Sequence, residues 1–182
     1  MKLALLPLAL LVSAPALASD WEVDHDASEV TFETDVLDAP VTGRFAEFGA
    51  AIGFDPDDLA NSYIDATVRV GSGETSTPSY TDEMMSEPGL DPDTYPTATF
   101  MSETIEASDE CDTCYIARGD LILRDERRPA ELPFSVTIEG DRAVADGELV
   151  IRREDFGIGG SGWGEAAAEI TVRVHIEADR AE

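Results

Sequence analysis

Lysine is almost absent from this chain: the single one, Lys2, precedes an apolar run, and every other base is an arginine. Against 12 Lys+Arg stand 39 Asp+Glu, for a net charge of −27 that grows more negative if Lys2 is removed. Such a surface repels phosphate backbones and anionic membranes, which excludes nucleic acid as a partner. Salt screens that self-repulsion, so the composition suits a salt-rich habitat.

Histidine and cysteine are also scarce. His25 and His175 are the only histidines. His175 falls on the polar phase of its segment, where no metal-ligand cluster or nucleophile accompanies it, so it reads as a solvated surface residue. Cys111 and Cys114, in Cys-Asp-Thr-Cys, fall short of the four ligands, or three plus water, that zinc takes. No βαβ pattern flanks them, which favours a local disulfide candidate over a redox motif. Adjacent acids such as Asp24 and Asp26 are expected by chance in so acidic a chain, so a paired-carboxylate site is not assigned. No metal ligands and no catalytic residues emerge, and the chain reads as a binding protein rather than an enzyme.

Long apolar runs are missing beyond the start. Lys2, the run Leu3 to Val12, Ser13, Pro15 and Ala16-Leu17-Ala18 have the pattern of a secretory signal peptide over residues 1–18. An uncleaved anchor is the alternative reading. Cleavage after Ala18 implies an exported, periplasmic protein with one domain over 19–182. No later stretch reaches the roughly 20 apolar residues of a membrane helix, so the chain is not expected to span a membrane by helices.

What is present is alternation. Val30, Phe32, Thr34 and Val36 interleave with acids and a threonine; Ile64, Ala66, Val68 and Val70 repeat the pattern, as do Ile170, Val172, Val174 and Ile176. A period of two with one apolar face predicts strands that are dry on one side. Further strands are predicted over 42–54, 97–107, 113–124, 131–139 and 142–152, divided by turn residues such as Glu139-Gly140-Asp141. Between Ser76 and Tyr95 the alternation stops, four prolines follow in Pro78, Pro88, Pro92 and Pro96, and a short helix is expected near Ser79–Ser86. This segment reads either as a lid across a barrel mouth or as a rigid surface loop.

Successive strands with short polar connections describe an all-β meander, and closure into an antiparallel barrel of about eight strands removes its exposed edges. The polar phases carry Glu29, Glu33, Asp35 and Asp65, too many acids for a narrow lumen, so the apolar phases are expected to face inward. Composition does not distinguish a filled interior from a hollow one.

Several stretches in order resemble the YceI-like family of exported, lipocalin-like polyisoprenoid-binding proteins. They are Trp21-Glu22-Val23-Asp24 with Ser28-Glu29-Val30-Thr31-Phe32; Gly43-Arg44-Phe45 with Ile52-Gly53-Phe54-Asp55-Pro56; Tyr95-Pro96-Thr97-Ala98-Thr99-Phe100; Gly119-Asp120-Leu121 to Arg128-Pro129; and Arg153-Glu154-Asp155-Phe156-Gly157-Ile158-Gly159. The resemblance implies a lipocalin-like barrel with a short helical connection and a long internal pocket for an isoprenoid lipid, either a polyprenyl phosphate or a quinone. It implies no catalytic residues, no cofactor beyond such a bound lipid, and pairing as a homodimer. The segment Thr81 to Leu90 and the Cys111/Cys114 pair depart from the family pattern.

On this reading the ligand-contacting candidates are Phe32, Phe45, Phe48, Phe54, Phe100, Phe134 and Phe156, with Ile64, Val68, Val136, Val172 and Val174 on the inward phases. Phe45 and Phe48 cannot both point inward on a regular strand, so either one lies outside or Gly49 marks a bulge. Arg124, Arg127, Arg128, Arg152 and Arg153 are candidates for a phosphate head group, against the simpler role of pairing with surface acids. A lipid-modifying enzyme using the same cavity, and a stress-related module with a filled core, are the competing readings.

Overall fold

A computed structural model describes residues 20–160, 163 and 166–181; the segment read as a signal peptide lies outside the described residues. The strands are β1 (Asp20–Val23), β2 (Glu29–Val36), β3 (Ala39–Phe45), β4 (Phe48–Gly53), β5 (Tyr63–Arg69), β6 (Gly73–Thr75), β7 (Thr97–Ala107), β8 (Cys114–Leu123), β9 (Glu126–Glu139), β10 (Arg142–Arg152) and β11 (Glu169–Arg180), with one helix, α1 (Pro78–Met85), between β6 and β7.

Every pairing is antiparallel. The ring β1-β4-β5-β7-β8-β9-β10-β11 closes where Trp21 of β1 lies opposite Arg180 of β11. At one end β2, β3 and β6 continue the wall beyond β11. The result is the eight-stranded barrel that the alternation predicts. Its closure is fixed by a buried indole: Trp21 Nε1 donates to the Phe54 carbonyl at 3.0 Å, and the Arg180 guanidinium lies 4.7 Å from the Trp21 ring centre.

The expected strand over 42–54 is two strands. The break falls at Ala46-Glu47 and not at Gly49, so Phe45 ends β3, Phe48 begins β4, and both phenyls reach the interior. The phase resets at the break, which removes the conflict a continuous strand would carry.

β9 begins five residues earlier than the expected Glu131, despite Pro129 and Pro133 within it. Val136 N donates to Thr113 O on the β8 side, so the backbone groups of Pro129 and Pro133, an odd number of residues away, point toward β10. β10 pairs with β9 only over Arg142–Gly147, short of Pro133. The prolines therefore stand where no ladder bond is made, the one place a strand tolerates them. The 3-10 turn Arg153–Phe156 lies against β9 beside this seam.

α1 starts with Pro78 at its first position, where a missing N–H costs nothing, and is joined to β6 by Thr75 N donating to Thr81 Oγ1 at 2.9 Å. It spans nearly the range expected. Cys111 and Cys114 are bonded to each other in the β7–β8 connection, with Cα atoms 5.1 Å apart.

Candidate ligand-binding cavity

Inward positions on the strands are occupied by two size classes. Val30, Phe32, Phe100, Phe134 and Val136 are bulky and buried, whereas Ala50, Ala66, Ala98, Ala143, Ala145, Gly147 and Ala178 project little into the lumen. A barrel of eight strands is near the size at which side chains fill the interior, so small residues on neighbouring strands leave a hollow.

That hollow has two chambers. An outer one of about 450 Å³ lies at the end extended by β2, β3 and β6, within the usual volume of a small-molecule site. An inner one of about 190 Å³ lies deeper. Both are walled by Val30, Val68, Ala98, Leu121, Leu149 and Val172, which form the waist between them. Phe54 and Phe134 on the wall of the inner chamber pack with Tyr115, the three ring centres 5.0 to 5.9 Å apart.

The mouth of the outer chamber is crossed by α1. Tyr80, Glu83 and Met84, at i, i+3 and i+4, share the helix face that lines it. Leu90, 8% exposed, follows from the connection, where its N–H donates to the Met84 carbonyl at 2.7 Å. Of the two readings of the 76–95 segment, the placement is that of a cover over the barrel mouth. Leu37, at φ 54° in the β2–β3 turn, forms part of the rim and is 63% exposed.

Phe32, Phe45, Val68 and Val172 are on the wall of the outer chamber. Phe48, Phe54, Ile64, Phe100, Phe134, Val136 and Val174 are on that of the inner one, which Val68 and Val172 share. Phe156 is the exception and requires correction. It is 4% exposed, on the 3-10 turn rather than a strand, and packs with Val70, Leu90, Leu123 and Ile158 behind the wall. Residues that alternation alone does not single out are Tyr80, Glu83, Met84, Leu90, Ile158 and Trp163, since all lie outside strands. The spacing of Tyr80, Glu83 and Met84 on a helix was the available signal for three of them.

None of the five candidate arginines lines either chamber. Arg127 pairs with Asp120 at 2.8 Å, Arg128 with Glu126 at 2.9 Å, and Arg152 approaches Glu154 at 4.0 Å, all on the outside. Arg124, at φ 51° in the β8–β9 turn, donates to the carbonyls of Gly89 at 2.7 Å and Gly157 at 2.8 Å and lies 5.2 Å from the Tyr95 ring centre. It clamps the cover to the wall. Arg153, 7% exposed, donates to the carbonyls of Ala167 (2.9 Å), Ile158 (3.0 Å), Trp163 (3.2 Å) and Ala166 (3.2 Å).

His175 is on the outer surface, as its polar phase implies, but it is not simply solvated. Its Nδ1 meets Asp146 at 2.7 Å, its Nε2 lies 3.5 Å from Glu177, and Glu29 is its partner on β2. The hydrogen bond to Asp146 raises its pKa above the ordinary 6.5, in spite of partial burial. Because the folded value is the higher, the stabilisation is full below the unfolded pKa and disappears as pH rises through the folded one. Urea midpoints should therefore favour the native chain over His175→Asn at about pH 5.5 and converge by about pH 9; an equal gap at both would show that charge plays no part.

Comparison with known proteins agrees with this geometry. Protein YceI of Shigella flexneri is 28% identical over 180 residues, covering 93% of this chain and 92% of its own. A UPF0312 protein of Shewanella sp. (strain W3-18-1) is 26% identical over 164 residues, covering 85% of each chain. Among solved structures, BcnA of Burkholderia cenocepacia superposes with a TM-score of 0.80 at 29% identity, over 86% of this chain and 99% of that one. A polyisoprenoid binding domain from Saccharophagus degradans, implicated in plant cell wall breakdown, gives a TM-score of 0.69 at 14% identity, over 91% of this chain and 100% of its own. The model of the YceI-like domain matches residues 21–178, from the indole that closes the ring to the last buried alanine of β11, and the chain therefore belongs to the YceI-like family.

Proposed function

We propose that this protein is an exported carrier or store for a long apolar lipid of the isoprenoid class, held tail-inward in the barrel. The observation that carries the reading is the pair of adjoining chambers, predominantly apolar along their length, with most of their polar wall groups toward the rim under α1. A prenyl tail there gains about 0.8 kcal/mol per buried methylene before ordering costs, and stiff phenyl walls add little entropy loss of their own. The polyisoprenoid-binding description of the Saccharophagus degradans domain, which shares the fold, supports the ligand class. The residues Lys2 to Ala18 support export to the periplasm.

A lipid-modifying enzyme would place a nucleophile beside a base in the same hollow; its polar wall groups are Thr34, Thr75, Ser79, Tyr80 and Glu83, with Thr67 and Thr99 deeper. That set favours binding over chemistry. A filled core is inconsistent with the chambers. Native mass spectrometry of the gently purified protein is expected to show a co-purified lipid, or stoichiometric uptake of offered geranylgeraniol. Neither a retained lipid nor uptake of any prenyl compound would end the carrier reading.

A further inference from the structure

The charge pattern of the outer chamber narrows the ligand beyond the carrier reading, on which this inference rests. Among the described residues no arginine, lysine or histidine lines either chamber, and the only charged wall group is Glu83 on the inner face of α1. Two arginines beside the cover are engaged elsewhere: Arg124 donates through Nη1 to the carbonyls of Gly89 and Gly157, and Arg153 donates to those of Ile158, Trp163, Ala166 and Ala167. Arg153 cannot turn toward a ligand without leaving the buried Ile158 carbonyl unsatisfied.

We propose that the barrel selects lipids with an uncharged head group over anionic ones, with Glu83 as the excluding residue at the mouth. An anion drawn beneath α1 loses hydration and meets no cation, and the carboxylate of Glu83, itself exposed at the mouth, adds repulsion to that desolvation cost. A neutral hydroxyl or carbonyl meets none of these penalties. Thr34, Ser79 and Tyr80 on the wall of the outer chamber offer it hydroxyl groups.

The test uses two compounds with one tail, geranylgeraniol and geranylgeranyl phosphate, titrated against the full mature chain at about 0.5 M salt so that the diffuse surface charge is screened. The native protein is expected to hold the alcohol at least tenfold more tightly than the phosphate. In Glu83→Gln the ratio should narrow by threefold or more, with alcohol binding in the same sample reporting that the barrel is intact. Equal affinity of the native chain for both compounds, or an unaltered ratio in Glu83→Gln, overturns the proposal while leaving the carrier reading in place. Binding of neither compound removes the carrier reading itself.

Discussion

Replacing Ala98 with phenylalanine should convert the barrel from a long-tail binder to a short-tail one. Ala98 stands at the waist, opposite Val68 on β5, and its methyl belongs to the wall of both chambers. A phenyl there fills the passage while leaving the outer chamber and its rim in place. In a series from geraniol through farnesol to geranylgeraniol, the native protein is expected to gain affinity with each unit. Each methylene kept out of the inner chamber forgoes about 0.8 kcal/mol, so roughly two carbons cost a factor of ten. The variant's affinity should match the native value for the shortest alcohol and then stay level. Met101→Phe, on the outward side of the same strand, is the control, since Met101 is 47% exposed. A loss of equal size at every length, or none at any, would mean that tails do not pass the waist.

Arg153→Met should cost about 3–5 kcal/mol of unfolding free energy, since each buried carbonyl that loses a donor costs about 1–3 kcal/mol and relaxation recovers part of the sum. Four backbone carbonyls lose their donor together, and the nearest carboxylate, on Glu154, is 4.0 Å away and contributes little. Gly159 at φ 113° leaves room for the guanidinium: a Cβ there would come within 2.2 Å of Nη1. Lysine is no substitute, because one ammonium cannot reach carbonyls arrayed around a planar fork. Arg152→Met, an outward neighbour, should change stability by less than about 0.5 kcal/mol. Denaturant curves on the two variants and the native chain decide it, and similar midpoints for Arg152→Met and Arg153→Met would refute the buried role. Since Ile158, Trp163 and Ala166 line the outer chamber, the Arg153 variant should also bind lipid less well at temperatures where it remains folded.

Arg153 also shows where reading residues in order reaches its limit. As one of five arginines it suggests a phosphate site, and its neighbours Arg152 and Glu154 suggest surface pairing. Neither describes a cation with its N–H groups turned to the backbone of a loop fourteen residues on. Phe156, in the same turn, failed as a wall residue for a related reason. Alternation ranks residues on strands, and a side chain on a 3-10 turn has no phase to read. Phe45 and Phe48 illustrate the opposite case: the conflict between them was visible, and only its resolution, a break at Ala46-Glu47, was not.

The antiparallel meander, its inward phase and its closure follow from the order of residues, because a period of two assigns each side chain to a face and burial of apolar faces makes the sheet curl onto itself. The family likewise follows from five short stretches in order. The hollow does not, since an alanine facing inward looks the same in sequence whether a neighbour fills the space beside it or not. Only the three-dimensional register brings Ala50, Ala66, Ala98, Ala145 and Gly147 around one lumen, and only folding lays Glu83 over its opening while turning Arg124 and Arg153 toward carbonyls. Volume and electrostatic surroundings are sums over residues distant in the chain, whereas periodicity is a property of neighbours.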